Sequence, residues 1–404
     1  MHTRTSRTLT ALAAAAMLVV ASGPADASVP VVEAEVPITP TTTTITVNGH
    51  GYGHGHGMSQ YGARGAAIAG QNYQQILAFY YPTTALAPVG GKVRVLITAD
   101  NDNNLKVAPA AGLRVRDLGN GRTYKLKKKA KAWRLKSVAG QTRVYYKTGH
   151  WHLYKTGGRK ALSGSGEFRS SSDQLTLKLP TGSRVYRGKL RFTGTDTVNV
   201  VRLDRYVSGV VASEMPSVWP AAALQAQAVA ARTYAARERA DHVTGYYDLC
   251  DTAACQVYGG VVAETAATNA AVAGTAGVAL VYGGQYAFAQ FASSNGGLMS
   301  AGGQPYLVAK ADPWDTAAVD PYFNWTPGTT PGSTETTKSI VPLQTAYGPG
   351  LTGVQVTQRE DATAPDHGRV VTVEMHGTAG TKVLTGDQVR SLLGLRSTYF
   401  TLSP

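Results

Sequence analysis

Short runs of alternating hydrophobic and polar residues fill the chain between about residues 92 and 200. Clear examples are 93–97, 113–116, 143–146 and 175–179, which are separated by Gly, Asn and Asp. A period of two is typical of strands with one buried face. The region therefore predicts an antiparallel sheet or barrel. Similar runs predict further strands at 277–282, 286–291 and 369–375.

Helical periodicity interrupts the strands at four places. Residues 71–81 put Tyr73, Ile76, Leu77 and Tyr80 on one face, and Pro82 closes the run. A short helix is predicted at 203–211. The Ala-rich stretch 221–241 follows, with Pro220 at its first helical position.

The fourth helix lies near the C-terminal end. Thr385 and Gln388 are spaced as a capping box, and Gly394 follows the last turn. Together the patterns predict an α+β fold in which antiparallel β-sheets accompany a helical segment.

The first 27 residues have the pattern of a signal peptide. Arg4 and Arg7 precede an apolar run over 9–21, and Ala25-Asp26-Ala27 provides a small-residue cleavage site. We therefore expect an exported chain without a stable membrane span. Residues 28–46 are rich in Val, Pro and Thr and predict an extended linker, and a Thr/Pro/Gly-rich loop is predicted at about 326–337.

The chain is basic, with a net charge of +14 and only 16% charged residues. Removal of residues 1–27 takes away two arginines and one aspartate and leaves +13. Export makes nucleic acid an improbable partner, so anionic cell-wall polymers are the expected one. The lysine cluster at 125–131 can bind such a polymer; a solvated loop or a lysine-protected edge strand explains it equally well.

Two cysteines, Cys250 and Cys255, lie close together in the sequence. In an exported chain a local disulfide is the default expectation. A metal role requires more ligands, because a closed structural zinc site normally has four. No metal and no cofactor is predicted.

The candidate for chemistry is Glu214, in the run Ser213-Glu214-Met215-Pro216 between two helical patterns. An apolar setting beside Met215 and Trp219 raises the pKa of a carboxyl, because the charged form loses its hydration. Such a residue can donate a proton to a leaving group near neutral pH. The alternative is a surface glutamate at a helix end.

Several segments together resemble the stage II sporulation protein D (SpoIID/LytB) family of peptidoglycan lytic transglycosylases and amidase enhancers. The matching segments are 203–216, 219–220, 224–235, 255–260, 293–297, 394–400 and the glycine-rich run 53–63. The glycine–histidine motif follows the catalytic segment in better-known members, whereas here it comes first. Such a permuted order predicts that residues 47–84 pack against 369–400, and that residues 47–404 form one domain with a β-rich insertion at about 92–200.

The resemblance implies that Glu214 is the catalytic acid of a glycan-cleaving enzyme. It would cleave the β-1,4 bond after N-acetylmuramic acid in strands stripped of stem peptides, leaving 1,6-anhydro ends. A non-catalytic wall-binding protein that stimulates a partner amidase is the first alternative, and a structural wall-associated protein is the second. Product analysis separates these functions.

The resemblance also implies a set of substrate-binding residues. His54 matches the motif histidine, and the remaining expected polar contacts are Ser59, Gln60, Arg232, Gln256, Tyr258 and Ser294. For Arg232, orientation of the Glu214 carboxylate and a surface ion pair are both open; Asp204 and Asp251 are possible helpers. Some members are described with zinc near the cysteine segment, but here alanine stands where a histidine ligand is expected, which favours the disulfide.

Overall fold

The computed structural model describes residues 29–31, 33–325, 336–360 and 368–404. The expected signal peptide and residues 326–335 of the expected loop lie outside these ranges. The described residues form an α+β fold, as the sequence predicts. Their α-helices are α1 (Gln60–Ile68), α2 (Tyr73–Tyr80), α3 (Leu203–Glu214), α4 (Ala221–Asp241), α5 (Ala266–Gly274), α6 (Val341–Tyr347) and α7 (Gly386–Leu393), with a 3-10 turn at Gly260–Ala263.

The predicted helices form, with differences at their ends. Helix α2 begins at a capping box of Asn72 and Gln75, and α7 begins at the predicted box of Thr385 and Gln388 and ends at left-handed Gly394. Helix α3 runs three residues beyond the predicted 211. Pro220 is the N-cap of α4 and not its first helical residue, because its extended backbone (ψ 141°) precedes the first turn.

Two large sheets contain the alternating runs. The seven-stranded sheet has, in spatial order, Leu249–Cys250, Lys92–Leu96, Thr197–Arg202, Lys189–Phe192, Gly166–Arg169, Arg114–Asp117 and Thr123–Lys125. The six-stranded sheet has Trp151–Tyr154, Gln141–Lys147, Ala132–Val138, Asn104–Val107, Gln174–Leu179 and Gly182–Arg187. Their alternate apolar residues belong to one large core that also includes faces of α1 to α5. The lysine cluster follows the edge strand Thr123–Lys125, and Lys127 to Lys129 are exposed.

Smaller sheets join distant parts of the chain. They comprise Ala85–Pro88 with Val278–Tyr282 and Gln285–Tyr286, Met58–Ser59 with Phe291–Ala292, and Leu298–Met299 with Lys310–Ala311. The predicted strand 286–291 is not continuous. Its backbone changes partner along its length, since the amide of Ala287 donates to Leu280, that of Phe288 donates to the Tyr306 hydroxyl, and the Gln290 carbonyl accepts from Met58.

A second core lies between the N-terminal and C-terminal segments. Its strands are Val29–Pro30, Val36–Pro37, Thr44–Gly49, Thr337–Ser339, Leu351–Arg359, Val370–Gly377, Gly380–Thr385 and Phe400–Ser403. The structure thus differs from the linker expected at 28–46, because Val36, Ile38 and Ile45 are buried in this core. Alternate apolar residues give Thr44–Gly49 a buried face, despite the Pro and Thr around them.

The glycine-rich segment contacts the C-terminal end of the chain, as the permuted order predicts. Strand Thr44–Gly49 pairs antiparallel with Phe400–Ser403. The amide of His50 donates to the Tyr399 carbonyl at 2.8 Å, and the amide of Gly53 donates to the Arg396 carbonyl at 3.0 Å. These C-terminal residues thereby position the glycine–histidine motif, which lies in the N-terminal part of the sequence. Within the described ranges, the helices lack the combination of length and apolar character required to cross a bilayer.

Candidate active site

Glu214 is the last residue of α3, and the sequence explains why the helix ends there. Pro216 disfavours a helical conformation in the residue before it. Met215 is accordingly extended, with φ −127° and ψ 141°, while its amide still donates to the Val211 carbonyl at 3.0 Å. Met215 is buried, so the chain turns inward and leaves the Glu214 side chain at the C-terminal end of the helix.

Two donors contact the Glu214 carboxyl group. Oε1 accepts from the backbone amide of Val257 at 2.8 Å, and Oε2 accepts from Nε2 of Gln60 at 3.3 Å. Burial nevertheless raises the pKa of Glu214, against the opposite effect of both hydrogen bonds. The negative end of the α3 dipole also disfavours a carboxylate at this position. The site is therefore suited to a carboxylic acid that stays protonated above its ordinary pH range.

The amide that contacts Glu214 belongs to a segment that is held on both sides. Gln256 and Tyr258 are buried, whereas Val257 between them is 38% exposed. Gln256 accepts from the Tyr206 hydroxyl at 3.0 Å, and the Tyr258 hydroxyl donates to Asn199 at 3.0 Å. These two buried anchors fix the intervening amide at Glu214.

A disulfide closes the loop before this segment. Cys250 and Cys255 are joined, with their Cα atoms 5.5 Å apart. Ala253, Ala254 and Cys255 line the cleft that contains Glu214. In the described residues, no group of three or more His, Cys, Asp or Glu is placed to hold a metal ion.

The glycine-rich segment forms the opposite side of this cleft. Gly53, Gly55 and Gly57 all have positive φ, which other residues adopt only with strain. His54 lines the cleft, and its Nδ1 accepts from the His56 amide at 3.0 Å. Burial, aided by repulsion from His56 and Arg369, lowers the pKa of His54 to about 3. His54 is therefore neutral and carries its proton on Nε2.

Ser59 and Gln60 connect the glycine-rich segment to Glu214. Ser59 is the N-cap of α1, and its hydroxyl accepts from the Gly62 amide while donating to Oδ2 of Asp315 at 2.8 Å. Gln60 is the first residue of the helix. The cap therefore sets the direction from which Gln60 reaches Glu214.

A buried carboxylate pair lies beneath this cap. Oδ2 of Asp315 accepts from Ser59 and from the Asn295 amide at 2.9 Å, and the Ser294 hydroxyl donates to Asp320. Burial and the neighbouring Asp320 carboxylate raise the pKa of Asp315 from 3.8 to about 8. Two carboxylates this close are stable together when they share one proton.

We expect this pair to make the stability of the protein depend on pH. Because the pKa of Asp315 is higher in the folded state, its protonation stabilises the fold below the ordinary pKa. This contribution is lost as the pH rises through about 8. The free energy of unfolding, measured with urea between pH 5 and 8.5, should fall by up to about 1.4 kcal/mol per pH unit. Asp315→Asn should flatten this slope, and the exposed control Asp241→Asn should keep it. An unchanged slope in Asp315→Asn contradicts the assignment.

The cleft that contains Glu214 has a volume of about 430 Å³. It is lined by Tyr52, Gly53, His54, Glu214, Tyr234, Ala253, Ala254, Cys255, Val257, Gln290, Phe291, Ala292, Ser293 and Arg390. A second concavity of about 550 Å³ adjoins it and shares Val257; its lining includes Thr98, Ser183, Arg184, Asp251 and Tyr258.

The structure brings some of the expected site residues together and places others beneath the surface. His54 lines the cleft and Gln60 contacts Glu214, whereas most of the expected sugar-binding side chains are buried and bonded within the protein. These buried residues are Ser59, Arg232, Gln256, Tyr258 and Ser294. Arg232 pairs with Asp204 at 2.7 Å and donates to backbone carbonyls, including that of Val278. Their polar groups have partners inside the fold, so these residues support the walls of the cleft, and their direct contact with sugar stays a prediction.

Sequence reasoning did not find Arg369, Arg390 or the buried aspartates Asp312, Asp315 and Asp320. The Arg369 guanidinium is buried against Gly55 and donates to the Gly53 carbonyl at 3.1 Å. Arg390 lines the cleft from α7. The sequence does contain signals for some of them. Arg390 lies in the predicted C-terminal helix that begins at a capping box, and two of the aspartates directly precede Pro313 and Pro321.

Comparison with known proteins finds a family model and several relatives that resemble this chain. The family model described as Stage II sporulation protein matches residues 191–282, which include Glu214 and both cysteines. Stage II sporulation protein D of Bacillus subtilis (strain 168) is 32% identical over 253 residues, which is 57% of this chain and 68% of that protein. The protein of the same name from Bacillus amyloliquefaciens is 33% identical over 248 residues, 56% of this chain and 66% of its own.

A further relative is the amidase enhancer of Bacillus subtilis (strain 168). It is 40% identical over 126 residues, which is 30% of this chain but only 16% of that protein. The chain thus spans less than two thirds of the amidase enhancer and of the Bacillus amyloliquefaciens protein. With the match over 68% of the Bacillus subtilis sporulation protein, this chain belongs to the stage II sporulation protein D family.

Proposed function

We propose that this protein is exported to the cell wall and cleaves the β-1,4 bond between N-acetylmuramic acid and N-acetylglucosamine in glycan strands. The observation that carries the proposal is Glu214. It is the one carboxyl group among the described residues that line its cleft, and burial raises its pKa. Family membership supports a role in the cell wall.

The reaction is a lytic transglycosylation with one acid and one internal nucleophile. Glu214 gives its proton to the glycosidic oxygen as the bond from that oxygen to C1 of the muramic acid breaks, which releases the 4-hydroxyl of N-acetylglucosamine. The 6-hydroxyl of the same muramic acid attacks C1 and passes its proton to the Glu214 carboxylate. The product is a 1,6-anhydro ring, and Glu214 is protonated again.

A single carboxyl group suits this reaction better than hydrolysis. Glycoside hydrolases usually place two carboxyl groups about 5–9.5 Å apart, the second to attack the sugar or to activate water. Asp251, one possible helper, lines the adjoining concavity and is held by the amide and hydroxyl of Thr98. Asp204, the other, pairs with buried Arg232. Neither lines the cleft of Glu214.

The shape and charge of the protein fit a polymeric, anionic partner. The two adjoining concavities provide room on both sides of Val257 for successive sugars. The net charge of +14 and the exposed lysines 127–129 favour binding to anionic wall polymers. Glycan stripped of stem peptides is the proposed substrate.

Product analysis by mass spectrometry tests the function. Purified glycan without stem peptides is incubated with the protein, and the ends of the products are identified. We expect 1,6-anhydro-muramic acid ends, which are lighter than hydrolytic reducing ends by one water. Reducing ends indicate a hydrolase, and an unchanged glycan contradicts enzymatic cleavage.

Stimulation of a wall amidase is the second candidate function. The observation that favours it is the 40% identity with the amidase enhancer over 126 residues. In this alternative the protein binds glycan and increases amide cleavage by a partner without cutting glycan itself. The alternative is supported if Glu214→Gln stimulates an amidase as strongly as the unchanged protein does. In that case neither protein produces anhydro ends.

A further inference from the structure

Arg390 is the cation among the described residues that line the cleft of Glu214. Its one described ion pair joins Nη1 to Asp387 Oδ1 at 3.6 Å, and the Asp387 side chain is 78% exposed. Surface pairs of this kind contribute little to stability. This contact is too long for a hydrogen bond, and the Arg390 side chain is 32% exposed, so its Nη groups can be reached by a ligand. The guanidinium thus retains donors for a further acceptor.

Arg390 acts on the His54 side of the cleft. Its positive charge contributes to the lowered pKa values of His54 and Arg369. The pKa of Glu214, in contrast, is set by burial and by its bonds to Val257 and Gln60. Arg390 comes from α7 and Glu214 from the end of α3, so the two residues line one cleft from different elements.

The other arginines nearby are already engaged. Arg369 is buried and donates to the carbonyls of Gly53 and Asn295. The Arg396 guanidinium lies over the ring of Tyr322, 4.8 Å from its centroid. Neither lines the cleft, so Arg390 is the one of these three arginines that is placed to contact an anionic group of a ligand there.

The proposed substrate has one such group. Each muramic acid carries a lactyl ether, which ends in a carboxylate when the stem peptide is absent and in a neutral amide when it is present. A guanidinium binds a carboxylate through charge-assisted, often bidentate hydrogen bonds, which an amide cannot match. At the lactyl group itself, the two forms of the polymer differ in charge.

We propose that Arg390 binds the lactyl carboxylate of a muramic acid and thereby makes the site selective for glycan without stem peptides. This inference rests on the proposed function. In this proposal Arg390 on α7 recognises the substrate, and Glu214 on α3 supplies the acid.

Two forms of one glycan test the selectivity. Glycan without stem peptides is used directly, and a second portion is coupled to methylamine so that its lactyl carboxylates become neutral amides. We expect the unchanged protein to prefer the carboxylate form about tenfold or more in kcat/KM, since the lost bonds are charge-assisted. Arg390→Gln should cleave both forms equally, at the rate of the unchanged protein on the amide form. Arg390→Lys should keep part of the preference.

Arg205→Gln is the matched control, because it removes the same charge from an exposed position on α3 outside the cleft lining. It should retain the full preference. The proposal is overturned if the unchanged protein shows no preference, if Arg390→Gln retains it, or if Arg390→Gln loses activity equally on both forms.

Binding measurements separate this proposal from the proposed reaction. In Glu214→Gln, affinity for the two glycans is measured by co-sedimentation with and without the additional change Arg390→Gln. We expect tighter binding of the carboxylate form, and we expect the additional change to abolish the difference. If the unchanged protein releases no products, the proposed reaction is wrong. In either case, equal binding of the two forms by Glu214→Gln refutes the role of Arg390.

Discussion

Glu214→Gln is expected to reduce glycan turnover by about 10²–10⁴-fold, the usual contribution of general acid catalysis. The amide has nearly the shape of the carboxyl group, and its oxygen can still accept from the Val257 amide. It has no proton to give to the glycosidic oxygen. Turnover should therefore fall while the free energy of unfolding changes little, as measured by product release and by urea unfolding.

We expect the same residue to determine the pH dependence of the proposed reaction. The acid must be protonated when the substrate binds, and burial raises its pKa. The rate of the unchanged protein should fall as the pH rises through this raised pKa, and the residual rate of Glu214→Gln should not follow that curve. Glu238→Gln is the matched control, because burial also raises the pKa of Glu238 but this residue does not line the cleft. Anhydro products released by Glu214→Gln at the normal rate rule out the assignment.

Gly57→Ala is expected to destabilise the protein by about 3 kcal/mol or more, since it combines strain with a clash. Gly57 has φ +66°, and an added Cβ would lie 2.2 Å from the Gln290 carbonyl oxygen. That oxygen accepts from the Tyr81 hydroxyl at 2.6 Å and from the Met58 amide at 3.2 Å, so it cannot move without breaking both bonds.

Gly70→Ala separates strain from clash. Gly70 has φ +88°, and nothing lies within 4 Å of an added Cβ. This control should lose only about 1–2 kcal/mol, the cost of a left-handed conformation. Urea unfolding of both variants gives the comparison. Equal losses would mean that the approach of Gly57 to Gln290 has no role in stability.

The sequence predicts those parts of the fold that depend on local signals. The alternating runs from residue 92 to 200 form strands because each has one buried face. Helices α2 and α7 begin at capping boxes that depend only on residues three apart. The sequence does not predict the packing of Val36, Ile38 and Ile45, since the partner strands Leu351–Arg359 and Thr337–Ser339 lie about 300 residues away in the sequence.

The sequence indicates where the candidate acid lies, but it does not indicate which neighbouring side chains face the cleft. Glu214 lies at a helix end that Pro216 dictates, and this rule is local. Polar residues near Glu214 are expected to bind sugar. Whether a side chain such as Gln256 points to the cleft or to the core depends on which residues of its segment face inward, and the distant residue Tyr206 fixes that segment. The approach of Arg390 from α7 requires the tertiary fold.

The pairing of Thr44–Gly49 with Phe400–Ser403 has a consequence for how a nascent chain matures. The glycine-rich segment emerges early from the ribosome, but Arg369 and Tyr399, which hold it, are synthesised more than 300 residues later. Contacts this remote in sequence slow folding, because a long loop must close before they form. The cleft is therefore completed only after Arg369 and Tyr399 are made, and a translation product that stops between Glu214 and Arg369 contains the glycine-rich segment without the residues that hold it in place.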